Sequence, residues 1–119
     1  MILTRKFSLS MISNDQPLII RSSSRVSSSR LQITLMSTYG ELIIPSNISI
    51  QGVLLMRTHD TQTPKGKVGS FSLVNGSPVF TVDLDPEMTS EIGYNECEIA
   101  LLFGEGICLN SASFFLDVQ

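Results

Sequence analysis

The sequence predicts an all-β domain, a mainly antiparallel sandwich of seven to nine strands with at most one short helix. Three observations carry this. Short apolar runs alternate with turn residues from end to end, and no helical period outlasts two turns. Leu31-Gln-Ile-Thr-Leu35 alternates strictly, the pattern of a strand with one face buried and one in water. Asn75-Gly76, between two β-rich runs, is the pair that a tight hairpin demands, because both central residues take positive φ. A chain of 119 residues fits a single domain spanning 1–119. At that length about two-thirds of the unfolded surface is buried on folding, enough for a core.

The elements follow in order. Ile2–Leu9 alternates loosely and forms a first strand. Asn14-Asp15-Gln16-Pro17 turns the chain into the short strand Leu18-Ile19-Ile20-Arg21. The serine-rich run 22–29 is a loop or an irregular edge, and Leu31–Leu35 is the next strand. Ser37-Thr-Tyr-Gly40 is a turn before Leu42-Ile-Ile44 and Pro45. Ile48–Met56 is the longest apolar stretch, and Gly52 within it marks a bulge or a close approach. Thr58–Gly69 is a polar loop with Pro64-Lys-Gly66 at its tip.

A two-residue turn at Asn75-Gly76 sets Val74 against Ser77, Leu73 against Pro78 and Phe71 against Phe80. Pro78 gives no N–H and suits an edge strand. Asp85–Glu91 is the one helical candidate, capped by Asp85, opened by Pro86 and stopped by Gly93. Tyr94–Phe103 is a long strand with Cys97, Ile99, Leu101 and Phe103 on one face. Gly104-Glu-Gly106 turns it back, and Ile107–Leu109 with Ser113–Val118 supplies the last strand or strands. Opposed positions across that turn sum to about 210. Cys97 then faces the region of Ser113, not Cys108, and the two thiols stay free.

Only 16% of the residues are charged, so the surface relies on Ser, Thr, Asn and Gln. All eight basic residues lie in the first 67 positions, with three acids; residues 68–119 hold eight acids and no base. In the plainer reading the strands interleave and the signs mix in space. In the sharper one the domain has a basic and an acidic end, which dock head to tail on copies or partners through complementary fields. Arg21, Arg25 and Arg30 are then the candidate partner contacts. A net charge of −3 without clusters of bases and aromatics disfavours nucleic acid.

No catalytic, cofactor or metal site is expected. His59 stands alone in a polar segment, which rules out a convincing triad. Cys97 and Cys108 lack the partners and spacing of a metal site. Asp83, Asp85 and Glu87 offer oxygens to calcium, but Pro86 and the missing glycine spacing break the loop pattern, so they read as a capped acidic turn. Asn47-Ile-Ser49 and Asn75-Gly-Ser77 match the glycosylation triplet by coincidence. The opening residues do not read as a secretory leader, and apolar runs of about five residues fall far short of the ~20 of a membrane helix. The expectation is a protein made in the cytoplasm that does not enter membranes.

The order of elements resembles the N-terminal domain of phage baseplate upper proteins. The resemblance is carried by Leu18-Ile-Ile-Arg21, the alternating Leu31–Leu35, the apolar strand Ile48–Met56, Pro64-Lys-Gly66 and Val79–Leu84. After the acidic turn it continues with Ile92-Gly-Tyr-Asn-Glu-Cys-Glu-Ile-Ala-Leu and the closing Ser113-Phe-Phe-Leu-Asp-Val118. Gly93, Tyr94 and Glu98 at the strand entry fit best. The resemblance implies an immunoglobulin-like β-sandwich that anchors receptor-binding or fibre parts to a phage tail and catalyses nothing. Members of that family continue into a trimeric stalk, whereas this chain stops at Gln119, which implies an adaptor, a decoration protein or one domain of a longer protein. The expected function is that of a virion structural protein, in the tail baseplate or on the capsid. It works by protein–protein contact with other virion proteins, as a homo- or hetero-oligomer. The rival is a small glycan- or ligand-binding sandwich, which needs an exposed aromatic platform; the phenylalanines, Tyr39 and Tyr94 read mostly as core.

Overall fold

The computed structural model of the chain describes residues 3–11, 18–22, 29–37, 40–41, 49–74, 77–103 and 108–119. Among them are ten strands: β1 (Leu3–Ser10), β2 (Ile19–Ser22), β3 (Ser29–Ser37), β4 (Gly40–Glu41), β5 (Ile50–Arg57), β6 (Pro64–Val74), β7 (Ser77–Leu84), β8 (Gly93–Phe103), β9 (Cys108–Asn110) and β10 (Phe114–Val118). The all-β expectation holds, and the ten strands exceed the expected seven to nine by one because the very short β4 and β9 are counted.

The strands form one hydrogen-bonded path, β1-β3-β7-β6-β5-β8-β10-β2, with β4 on β3 and β9 on β8. The path is mixed, not purely antiparallel. Its interior pairs are antiparallel, but β1 runs parallel to β3 and β2 parallel to β10 at the two ends. The path curls onto itself around one core. Phe7 of β1 and Phe114 of β10, six places apart along the path, meet edge to face with centroids 5.4 Å apart. The Ala112 amide donates to Ser10 carbonyl oxygen at 2.9 Å, tying the end of β1 to the segment before β10.

Alternation decides what fills that core. Leu31, Ile33 and Leu35 of β3, Phe80, Val82 and Leu84 of β7, Cys97, Ile99 and Leu101 of β8, and Phe114, Leu116 and Val118 of β10 are all buried. Each large apolar side chain withdrawn from water contributes about 1.5–3 kcal/mol. Among the described residues no buried side-chain polar atom lacks a hydrogen-bond partner.

Strand β6 is the corner. Pro64–Gly69 pairs with β5, and Ser70–Val74 pairs with β7. This corrects the polar loop expected over Thr58–Gly69: the loop is confined to 58–63, and Pro64 begins an eleven-residue strand. A strand admits proline at its first position, where no ladder N–H is needed. The interleaved Lys65, Lys67 and the two glycines hid an alternating pattern. Gly69 and Gly52 oppose each other, and the Phe80 ring occupies the space a Cβ would take on either. Gly52 is therefore a close approach and not a bulge; the β5–β8 register runs unbroken through it.

The hairpin register is as expected: Val74↔Ser77, Leu73↔Pro78 and Phe71↔Phe80. Asn75 and Gly76 lie outside the described residues. Strand β7 is interior, not an edge, but β3 pairs only with its residues 79–84, so Pro78 sits where no neighbour on that side needs its N–H. The helical candidate Asp85–Glu91 is a single turn. Asp85 caps it as expected, its carboxylate and carbonyl both accepting from the Met88 amide. The Thr89 hydroxyl then donates to Asp85 carbonyl oxygen, and Met88 and Thr89 drop into the interior, so the segment is a hydrogen-bonded turn and no helix forms.

Strands β9 and β10 are one strand broken at Ser111–Ser113. Leu102 faces Cys108, but Cys97 faces Phe114, a register one residue beyond that expected. The extra residue is absorbed at Ser111, whose amide donates to Ile99 carbonyl oxygen while its Oγ accepts from the Ile99 amide at 2.9 Å. Cys97 is buried, Cys108 is exposed, and both are free thiols.

Candidate functional site

The outward face of β8, β10 and β2 carries exposed aromatic and aliphatic side chains beside charged ones. Alternation turns Asn95, Cys97 and Ile99 inward, so Tyr94, Glu96 and Glu98 face outward on β8. Register places Phe115 beside Glu96 and Asp117 beside Tyr94 on β10, then Ile19 beside Phe115 and Arg21 beside Asp117 on β2. Tyr94 is 50% exposed and Ile19 47%. The Tyr94 and Phe115 rings stand edge to face, centroids 6.5 Å apart and planes at 87°. Arg21 is exposed beside them. Tyrosine and arginine around apolar contacts are the composition of interface anchors.

The backbone under Tyr94 is pinned on both sides. Gly93 has φ +121°, a conformation side chains resist, and its Cβ position faces the His59 ring. Asn95 is fully buried. Its Nδ2 donates to the carbonyl oxygens of Glu91, Gly93 and Leu116, and its Oδ1 accepts from the His59 amide at 2.9 Å. Thr58–Thr63 closes into a loop in which Thr58 Oγ1 accepts from the Thr63 amide and Gln62 takes φ +54°. Glu91 Oε1 accepts from the amides of Asp60 and Thr61. Burial pushes the Glu91 carboxyl up, but the Thr61 and Asp60 amides reverse this and leave it below the usual carboxylate range. His59 is an exposed loop residue, as its neighbours suggested.

Near Phe115 lies a hollow of about 280 Å³ whose lining includes Leu55, Arg57, Pro64, Lys65, Glu96, Glu98 and Ser113, two bases against two acids. Ser113 Oγ donates to Glu96 Oε1 and Asn110 Nδ2 to Glu98 Oε1, each at 3.3 Å.

Of the three arginines singled out in the sequence, Arg21 lies on this face. Arg30 lies on β3, near the other end of the path, where its Nε donates to Asp83 Oδ1 at 2.7 Å. Arg25 lies outside the described residues. Asp83 and Asp85, weighed as calcium ligands, each face a cation instead. The hydrogen bond from Arg30 holds Asp83 below the usual carboxylate range. That from Lys67 Nζ, at 2.8 Å, does the same for Asp85. Both pairs join the basic first part of the chain to the acidic second part, so the signs interleave there as the plainer charge reading has it. Among the described residues no three His, Cys, Asp or Glu side chains gather as a metal set, and no helix is long and apolar enough to cross a membrane.

Reading the aromatics mostly as core holds for Phe80 and Phe114, which are fully buried, but not for Tyr94. The signal was present: Tyr94 has the parity of Glu96 and Glu98, opposite to that of Cys97 and Ile99. No protein-family model matches the chain, and comparison with curated proteins gives no match.

Proposed function

We propose that this chain is a non-enzymatic structural protein of a phage virion, an adaptor or decoration domain of the tail baseplate or capsid. It is made in the host cytoplasm and docks through the outward face of β8, β10 and β2. In this reading the curled sheet is an immunoglobulin-like sandwich whose two parallel end pairs are a local elaboration. No cofactor takes part, and the partners are other virion proteins.

The observation that carries the proposal is the half-exposed Tyr94 on a pinned backbone, packed on Phe115, with Ile19 beside Phe115 and Arg21 beside Asp117 on the next strand. A rigid aromatic anchor ringed by polar groups gives contact area at little cost in ordering. The resemblance to baseplate upper proteins adds support, since Gly93, Tyr94 and Glu98, its best-fitting residues, lie in or at the entry to this face. A glycan module presents a ring lying flat to the sugar; Tyr94 and Phe115 stand at 87° to each other, and the glycan reading is not adopted.

The test is incorporation. Virions purified from cells expressing the phage genome that encodes the chain should contain it in a fixed ratio to the tail or capsid proteins. Tyr94→Asp should fold but be lost from the particles. Its absence from virions, or normal incorporation of Tyr94→Asp, would overturn the proposal.

A further inference from the structure

We propose that two copies of this chain pair edge to edge through Ser70–Val74 of β6, antiparallel about a two-fold axis at Ser72. This surface is separate from the docking face and leaves that face free for other proteins.

Among the described residues, Ser70–Val74 pairs with β7 on one side and with no strand on the other, because β5 leaves β6 at the Gly52–Gly69 rung. Open edges are normally blunted by charge, since any strand can pair with them. The two ends of the path follow that rule: β1 exposes Arg5 and Lys6, and β2 exposes Arg21. The β6 edge does not. No charged residue stands between Val68 and Val82. Leu73 and Val74 point to opposite faces of the strand, yet they are 44% and 48% exposed, so water reaches this edge from both faces.

Hydrogen-bond parity selects the occupant. Pro78 has no N–H and opposes Leu73, so that rung is one of those that exchange no hydrogen bonds. Such rungs alternate with bonded ones, so Phe71 opposite Phe80 is another. The N–H and C=O groups of Phe71 and Leu73 therefore point to the open side, and a row of this kind is satisfied by a strand. A second copy running antiparallel about Ser72 sets Phe71 against Leu73 and Leu73 against Phe71. Each rung then exchanges two bonds, and the exposed Leu73 side chain lies against the half-buried Phe71 of the other copy. An axis at Phe71 would instead set Leu73 against Gly69, which β5 already pairs. An axis at Leu73 would set Phe71 against Asn75, past the end of the strand. The edge is thus self-complementary in one register, as an isologous contact requires.

Only the residue on the axis meets its own copy, and the test uses this. Sedimentation equilibrium over a concentration series compares the parent, Ser72→Lys, Ser72→Glu and an equimolar mixture of the two variants. Each variant alone should self-associate about fivefold or more weakly than the parent, because like charges then stand directly opposite across the axis. The mixture should recover to within about twofold of the parent, since the mixed dimer sets Lys against Glu. Ser72 is exposed, so both variants should fold; circular dichroism and melting temperature establish this, and Ser72→Arg with Ser72→Asp replaces a pair that does not. Tyr94→Asp should dimerise as the parent does, which separates this edge from the docking face. A parent that stays monomeric, a dimer indifferent to both charges, or a mixture no tighter than its components would overturn the pairing. Loss of the dimer in Tyr94→Asp would overturn it too, by placing self-association on the other face.

Discussion

The ring of Phe80 lies on the bare backbone of Gly52. Gly52 is paired with Gly69 across β5 and β6, and the ring covers both at the corner where β6 passes from β5 to β7. Phe80 is fully buried, so the ring has nowhere to go. Gly52→Ala should therefore overpack the corner and cost about 1–3 kcal/mol. In a Phe80→Leu background the same change should cost less, by at least about 0.5 kcal/mol, because the two sites share one volume. Urea unfolding of the four proteins in this cycle measures the coupling. Additive costs would mean that the ring and the glycine do not meet.

Gly93 is constrained twice. Its φ of +121° resists any side chain, and an added methyl would meet the His59 ring. Gly93→Ala should destabilise by about 1–3 kcal/mol. Adding His59→Ala removes the ring clash but neither the tight contact with Cβ at 3.2 Å nor the backbone strain, so thermal or chemical unfolding should show only partial recovery. Full recovery would place the whole cost in the ring contact.

Much of the fold was legible in local pattern. Strict alternation marked β3 and β8, and Asn75-Gly76 fixed the β6–β7 register to the residue. What escaped was what strand patterns do not encode. Strand β2 has four residues, and its partner is β10 at the other end of the chain; nothing in Ile19–Ser22 states that it leaves the side of β1 and runs parallel to the last strand. Pro64-Lys-Gly66 read as a loop tip because proline and glycine punctuate most loops. Here Pro64 opens a strand, while Gly69 makes room for a ring eleven residues further on. The docking face was half legible. Arg21 was identified from charge alone, whereas Tyr94 was read as core because aromatic character outweighed parity. Arg30 was indistinguishable from Arg21 in sequence, since its partner Asp83 lies 53 residues away.

Acid should weaken the fold through Asp83, Asp85 and Glu91. All three carboxyls are held below their ordinary values in the folded chain, so their stabilisation is present above pH ~4 and is lost as pH falls through the folded values. Asp83 and Asp85 side chains are 55% and 41% exposed, which keeps each pair's share small. Lys67→Met should flatten the fall in melting temperature between about pH 5 and pH 2, the range over which carboxylates titrate. Parallel curves for parent and variant would show that the Lys67–Asp85 pair adds nothing to folding.

The two thiols should differ sharply. Cys108 is exposed, whereas burial pushes the Cys97 thiol up to about 12. An aromatic disulfide reagent at pH 8 should titrate one thiol rapidly in the native protein and two after denaturation without reductant. Two fast thiols would show that β8 and β10 part readily; none in the denatured chain would mean a disulfide.

The central claim is that the chain works through the face built on Tyr94 and Phe115, and hydroxyl-radical footprinting reads that face directly. The isolated domain and the chain within assembled virions should be oxidised side by side and compared residue by residue. Tyr94 and Phe115 should lose most of their reactivity on assembly, while Val68, exposed on β6 away from the face, keeps its own. Unchanged oxidation of Tyr94 and Phe115 in the particles, with protection at Val68 instead, would contradict the account.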